Sequence, residues 1–394
     1  RPQLDTDFIA PRNGVEEDIA AQFARLLGVS QIGVEDSFFD LGGHSLIAVR
    51  LFAQIKRTFG VDLAISTLFE APSVAKLSEI IIARTGGGLT TDASSDDEAG
   101  STQAAARHTH LVQLHPGDGT GRRPFFLVAG MFGNVLNLRH LALMVGKDRP
   151  VYGLQAKGLI GEEAPHDRLD DAARDYLAEI RSVQPEGPYL LGGFSGGGLT
   201  AYEMAQQLKQ AGEETAALIL LDTPLPMRPE LSRHDKALIK WAELRRKGLG
   251  YLGEWLSNRI AWEIEKRRDR PAEDGTLPAF NNRKVELAFR AALPVYDLRP
   301  WEGPLTLFRP PLDRHWPVSG GNWVSAEREY VFEDNDWTRF ARNIEVVEVP
   351  GDHDSMVLVP NVSVLAAEVK ARLDAADRDA FRQSSASRQA EAAE

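Results

Sequence analysis

The chain has 394 residues, no cysteine, 43% hydrophobic content and a formal net charge of −12. That length points to two or three domains, and that apolar content supplies real cores, so wholesale disorder is excluded. An acidic surface attracts neither nucleic acid nor an anionic membrane, and without cysteine there is no disulfide framework and no thiolate chemistry.

No apolar run approaches the length of a membrane span, and the start, Arg1-Pro2-Gln3-Leu4-Asp5, carries no signal peptide. With the missing cysteines, this fits a cytoplasmic protein. A start without Met is expected of a piece cut from a longer chain.

Residues 1–85 read as a small helical domain. Asn13 followed by Glu16 forms a capping-box pattern, after which Val15, Ile19, Phe23 and Leu26 recur at helical spacing. A long loop from Gly28 to Gly43 carries Phe38-Phe39. Ser45 opens a second helix with Leu46, Val49, Phe52, Ile55 and Phe59 inward, and Ser73 caps a last one through Val74, Leu77, Ile80 and Ile81. A short helix is expected near Ile65 to Phe69.

Residues 86–107 offer almost nothing to bury, from Gly86-Gly87-Gly88 onward, and read as a flexible linker. From Leu111, strand-like and helical runs alternate: Phe125 to Ala129, Asn137 to Val145, Val151 to Leu154, Leu169 to Val183, the run into Ser195, its helix, and Ala217 to Leu221. Apolar strands separated by helices mean a parallel sheet covered on both faces, an α/β domain over residues 108–376. The alternation breaks over residues 226–294, a helix-rich insertion with Trp241, Trp255 and Trp262. It reads as a lid over the C-terminal sheet edge, where such sheets bind ligands. Strands resume at Leu305 to Phe308 and Ile344 to Val349, and the polar tail, residues 377–394, is expected to fray.

The centre of the α/β domain is Leu190-Leu191-Gly192-Gly193-Phe194-Ser195-Gly196-Gly197-Gly198. A Gly-x-Ser-x-Gly between a strand and a helix pushes its serine out of the sheet on a strained turn, and the glycines avoid the neighbouring strand and helix. A serine hydroxyl needs a base to take its proton and an acid group to hold the base's tautomer. In this strand–turn–helix setting the order is Ser, Asp, His. Asp222 ends the strand Ala217 to Leu221, and His353 follows the strand Ile344 to Val349 in a Gly-flanked loop. Asp313, after Leu305 to Phe308, is the rival acid, although Pro310-Pro311 carry the chain away before it. Asp222 as a turn cap and His353 as a surface loop residue are the plain alternatives. The oxyanion hole requires two backbone N–H groups, expected at Gly196 and at Met131 in the loop Ala129-Gly130-Met131-Phe132-Gly133. Gly133 fits a simple change of direction equally well.

The stretch Asp36-Ser37-Phe38-Phe39-Asp40-Leu41-Gly42-Gly43-His44-Ser45-Leu46 resembles the carrier-protein signature of nonribosomal peptide synthetases. The lead-in Ala10-Pro11-Arg12-Asn13 and Val15-Glu16-Glu17 is similar to the boundary after an adenylation domain. The resemblance implies that Ser45, by itself a good helix cap, carries a 4′-phosphopantetheine arm. Leu46 and the apolar residues after it would face modifying and partner enzymes. Residues 111–373 resemble the type I thioesterases of such synthetases, α/β-hydrolases with a helical lid, and there the acid commonly follows the strand after the nucleophile helix, at Asp222. The chain departs from that pattern in having Phe194 where many relatives carry His, Trp or Tyr, and in lacking a Pro in Ala129-Gly130-Met131.

The expected fold is therefore a small all-α carrier bundle plus an α/β-hydrolase domain with a helical lid. The expected function is release of a peptidyl or acyl chain from the carrier as an ester on Ser195, followed by hydrolysis or cyclisation. Implied partners are upstream adenylation and condensation modules and a phosphopantetheinyl transferase, with no nucleic acid, membrane or metal. Two alternatives stand beside it: a terminal unit of a polyketide or hybrid line, and an inert hydrolase-like docking domain.

Overall fold

In a computed structural model, residues 8–43, 45–61, 63, 67–85, 109–159, 163–247 and 281–391 are described. The linker 86–107, Trp255 and Trp262 of the lid, and the start of the short helix at Ile65 lie outside these residues.

The N-terminal unit holds α1 (Gly14–Leu27), α2 (Ser45–Phe59), α3 (Thr67–Glu70) and α4 (Val74–Thr85). The Asn13 side chain accepts from the Glu16 N–H at 2.9 Å, as an N-cap does. The Glu16 carboxylate reaches one residue further back than a capping box, accepting from the Arg12 backbone N–H at 2.7 Å and from its guanidinium. These contacts hold the Glu16 carboxyl below its ordinary pKa, the Arg12 side-chain hydrogen bond outweighing the cost of burial. The apolar residues at helical spacing close on one core: Ile19, Phe23, Leu51, Phe52, Ile55, Val74, Leu77 and Ile81 are buried together. The long loop belongs to that core, because Phe38 packs edge-on against Phe23 and its N–H donates to the Pro72 carbonyl at 2.7 Å.

The second unit is built on a seven-stranded sheet in the order β1-β3-β2-β4-β5-β6-β10. Its strands are β1 (Leu111–His115), β2 (Phe125–Val128), β3 (Val151–Leu154), β4 (Tyr189–Phe194), β5 (Thr215–Leu221), β6 (Leu305–Arg309) and β10 (Ile344–Glu348). All neighbours are parallel except the edge pair β1–β3. Strand periodicity divides the apolar residues between two faces. Phe126, Val128, Leu191, Leu218, Leu220 and Leu307 face α6 (Leu169–Val183) and α7 (Gly197–Gln210). Phe125, Leu127, Leu190, Ile219, Leu221 and Phe308 face α5 (Arg139–Val145) and α10 (Val362–Glu391). Truncating one such buried phenylalanine to alanine costs about 3–5 kcal/mol.

Two expectations change. The C-terminal helix α10 continues to Glu391 rather than fraying from Asp377, and Asp377 is paired with the fully buried Arg149 at 3.1 Å and with Arg123 at 3.5 Å. These pairs tie the helix to the segment before β2 and to the loop before β3. A second, three-stranded antiparallel sheet of β7 (Trp316–Pro317), β8 (Trp323–Val324) and β9 (Tyr330–Val331) lies between β6 and β10. Its strands are too short to leave a periodic signal.

The described lid consists of α8 (Arg233–Lys247) and α9 (Asn282–Ala292). The N-terminus of α8 is tied to the small sheet: Asp235 accepts from the Ser319 N–H at 2.9 Å and the Tyr330 hydroxyl at 2.5 Å, while Ser232 caps the helix. The two units touch where the Arg139 guanidinium lies 4.3 Å from the centre of the Phe39 ring and 4.0 Å from the Asp40 carboxylate.

Candidate active site

Ser195 sits on the turn between β4 and α7 with φ of +53°, a conformation that costs a non-glycine residue about 1–3 kcal/mol. Close packing holds it there. A Cβ placed on Gly197 would lie 2.1 Å from the Ala129 carbonyl oxygen, and one on Gly193 would lie 2.3 Å from the Gly197 oxygen. Strand β2 and helix α7 therefore approach as closely as backbone permits, and only glycine fits. The Ser195 N–H donates to the Leu221 carbonyl at 2.8 Å, which ties the turn to the end of β5.

Asp222 follows β5 directly and has φ of +44°. Its N–H donates to the Phe308 carbonyl of β6 at 2.7 Å, so the carboxylate is aimed from a fixed backbone at the sheet edge. His353 follows β10 and bridges the other two: Nδ1 is 2.7 Å from Asp222 Oδ2, and Nε2 is 3.0 Å from Ser195 Oγ. Three residues from three strand ends thus form one hydrogen-bonded line. Asp313 takes no part in that line; its carboxylate accepts from the Ala326 N–H at 2.7 Å.

Burial lowers the affinity of the His353 ring for a proton. The hydrogen bond and charge of Asp222, with Asp354 adding to them, outweigh that cost and leave the pKa above its ordinary 6.5. An imidazole so placed accepts a proton from Ser195 Oγ, and the imidazolium that results is stabilised by the carboxylate behind it.

Two side chains that the sequence did not single out, Asn335 and Trp337, complete the surroundings. Asn335 donates from Nδ2 to Asp222 Oδ1 at 3.0 Å. It is placed by Trp337, which is fully buried and donates from Nε1 to the Thr223 carbonyl at 2.8 Å. No motif marks Asn335, because it reaches the site from an irregular loop 113 positions from Asp222. Phe194 stacks on the His353 ring, with centroids 5.2 Å apart and planes 26° from parallel. The departure at Phe194 thus keeps a flat aromatic face against the imidazole.

Met131 and Gly196 are neighbours, since a Cβ on Gly196 would lie 3.3 Å from Met131 Cβ and 2.5 Å from Phe289 Cζ of α9. Gly133 is a turn residue with φ of +72°, its N–H donating to the Gly130 carbonyl at 2.8 Å. A Cβ there would lie 2.3 Å from Ala156 Cβ, so this glycine has a packing reason of its own. Behind Met131 lies a cavity of about 40 Å³ bordered by Gly130, His166, Val285 and Phe289.

Ser45 is the first residue of α2, after Gly42 and Gly43. His44 and the side chains of Ser45, Leu46 and Val49 lie outside the described residues. A backbone position at the N-terminus of a 15-residue helix suits a phosphate ester, because free N–H groups and the positive end of the dipole converge there.

Residues 17–81 match the family model for a phosphopantetheine attachment site, and residues 123–257 match that for a thioesterase domain. The chain is 35% identical over 328 residues to a dimodular nonribosomal peptide synthase of Bacillus subtilis (strain 168), a match covering 79% of this chain and 13% of the relative. It is 30% identical over 396 residues to the chondramide synthase cmdD of Chondromyces crocatus, covering 93% of this chain and 9% of that one. A crystal structure of a four-domain nonribosomal peptide synthetase, holo-AB3403 bound to AMP and glycine, matches with 25% identity and a TM-score of 0.51, over 93% of this chain and 26% of the other. The chain spans a small part of the length of each of these proteins. It joins a phosphopantetheine-carrier domain to an α/β-hydrolase thioesterase domain of the nonribosomal peptide synthetase family.

Proposed function

We propose that the chain releases an acyl or peptidyl group from its own carrier domain by way of an ester on Ser195. The observation that carries this reading is the hydrogen-bonded line from Asp222 through His353 to Ser195, in a chain that also holds a carrier domain. Ser45 is the attachment point for 4′-phosphopantetheine, whose thiol, when the arm is bound, carries the cargo as a thioester.

His353 Nε2 takes the proton of Ser195 Oγ as the oxygen attacks the thioester carbonyl, while Asp222 holds Nδ1–H and thereby the tautomer. The N–H groups of Gly196 and Met131 are assigned to the developing oxyanion, which gains most in a dry site under the lid. As the carbon–sulfur bond breaks, His353 returns the proton to the departing sulfur. Deacylation repeats the sequence with water or an internal amine or hydroxyl as nucleophile, giving free acid, lactam or lactone, and Ser195 Oγ takes the proton back. Upstream adenylation and condensation modules would load the carrier and a phosphopantetheinyl transferase would install the arm, all in the cytoplasm. No helix among the described residues is long and apolar enough to cross a membrane.

The test is to convert the chain to its phosphopantetheine form, load it with a panel of short acyl thioesters, and follow cargo and products by mass. Ser195→Ala should leave loading intact and slow release by at least about 10⁴-fold, as loss of a catalytic serine does. Unchanged release would overturn the reading, as would loading that survives Ser45→Ala.

A further inference from the structure

A group of side chains away from Ser195 has the composition of a metal site. His110, His166 and Asp175 each offer one ligand atom, and the three atoms lie within 4.8 Å of one another. His110 immediately precedes β1, His166 lies in the segment before α6, and Asp175 is on α6 itself. The frame beneath them is rigid. One turn beyond Asp175, the Glu179 carboxylate accepts from the backbone N–H groups of Thr109, His110 and Leu111 at 2.8, 2.9 and 2.6 Å. The position of the His110 backbone relative to α6 is thereby set by three charge-assisted hydrogen bonds.

The second observation is an unmet polar atom. The His110 ring is 4% exposed and packs against the rings of His166 and Tyr176, with centroids 5.6 and 5.2 Å away. Its Nδ1 has no hydrogen-bond partner. A buried imidazole nitrogen with nothing to bond to is costly and calls for an explanation. His166 Nε2 and Asp175 Oδ2 meet at 2.8 Å, and the His110 ring lies beside that pair with its Nδ1 unmet.

We propose that His110, His166 and Asp175 bind one divalent transition-metal ion of the zinc type. Two imidazoles and a carboxylate are borderline donors that suit such an ion and ill suit Mg²⁺, which wants an oxygen shell. Metal–ligand distances of about 2.0–2.2 Å in a tetrahedron separate the donor atoms by roughly 3.3–3.5 Å. His166 Nε2 and Asp175 Oδ2 are 2.8 Å apart and all three donor atoms lie within 4.8 Å of one another, so seating an ion requires small side-chain movements. The two neighbouring carboxylates, Asp175 and Glu179, supply negative charge for a dication. A bound ion would pin the segment entering β1 to α6 and to the loop of His166, which also borders the cavity behind Met131.

The experiment uses the untagged full chain after chelator treatment, titrated calorimetrically with Zn²⁺ and separately with Mg²⁺. One saturable equivalent of Zn²⁺ and no comparable Mg²⁺ binding are expected, with a melting temperature that rises as Zn²⁺ is added. Asp175→Asn and His166→Gln, both at partly exposed positions, should each weaken that equivalent by at least about 10–100-fold, the range lost when only an outer partner of a ligand is removed. His353→Gln should retain it, which separates this site from the imidazole near Ser195. No saturable Zn²⁺ binding, equal binding of Mg²⁺, undiminished affinity in both ligand variants, or loss of the equivalent in His353→Gln would each overturn the proposal.

Discussion

Asn335 donates to Asp222 Oδ1 at 3.0 Å while His353 occupies Oδ2 of the same carboxylate at 2.7 Å, so both oxygens are held from opposite sides. The carboxylate cannot rotate without breaking one of the two bonds. In the proposed mechanism Asn335 is a positioning residue, acting on His353 through Asp222. Asn335→Ala should reduce kcat for release by about 10–100-fold, the weight of one hydrogen bond to a charged group, with little change in KM. A matching rise in KM, or a loss explained by unfolding in circular dichroism, would show a merely structural role.

In the proposed mechanism the raised pKa of His353 sets the acid limb of the pH profile. The base must be neutral to accept a proton, so activity is lost as pH falls through the folded-state pKa, which lies above 6.5. The profile of kcat/KM against pH should therefore have its acid midpoint above that value. Asp222→Asn removes the charge that raises it, so the midpoint should move down while the plateau falls by about 10⁴-fold. A midpoint that stays in place in this variant would mean that Asp222 does not set the protonation of His353.

Gly197→Ala should fail in a different way. Its new Cβ would overlap the Ala129 carbonyl oxygen at 2.1 Å, a backbone atom that cannot move without shifting β2. Overpacking of this kind costs about 1–3 kcal/mol and occasionally more. Thermal unfolding of the α/β unit should drop accordingly, and activity with it. Gly14→Ala in α1, where a Cβ meets open space, should leave the helical unit at least as stable.

Contact between the two units offers a further check. Arg139 faces both the Phe39 ring and Asp40, contacts worth about 0.5–1 kcal/mol each at a partly exposed site. Arg139→Ala should slow release from the attached carrier by roughly 5–30-fold, the rate equivalent of the two energies together. Turnover of a small free thioester, which needs no carrier, should be unchanged. Equal slowing of both substrates would mean that Arg139 acts on the hydrolase unit alone.

Much of this molecule is legible in its residues. The runs Phe125 to Val128, Leu190 to Phe194 and Thr215 to Leu221 become adjacent parallel strands because they are apolar on both faces and separated by amphipathic helices. Leu169 to Val183 is helical over the range its periodicity predicts. Ser195 and Asp222 stand out because each directly follows a core strand, and His353 because it lies in the Gly-flanked loop after β10. Asn335, Trp337 and the small sheet of Trp316 to Val331 left no such trace. They lie in irregular or two-residue elements whose conformation is set by what they touch, not by their own pattern.

Composition and spacing alone determined that an all-helical unit precedes an α/β unit, and that a serine, a carboxylate and an imidazole sit at strand ends. Hydrophobic periodicity and turn chemistry act over a few residues, so they survive in the linear order. That Asp222 and not Asp313 meets His353, the second hold on the carboxylate by Asn335, the stacking of Phe194 on His353 and the meeting of His110, His166 and Asp175 were decided only by the tertiary structure. Each depends on distances between residues far apart in the chain, and a hydrogen bond or a metal–ligand bond is gained or lost within about one ångström.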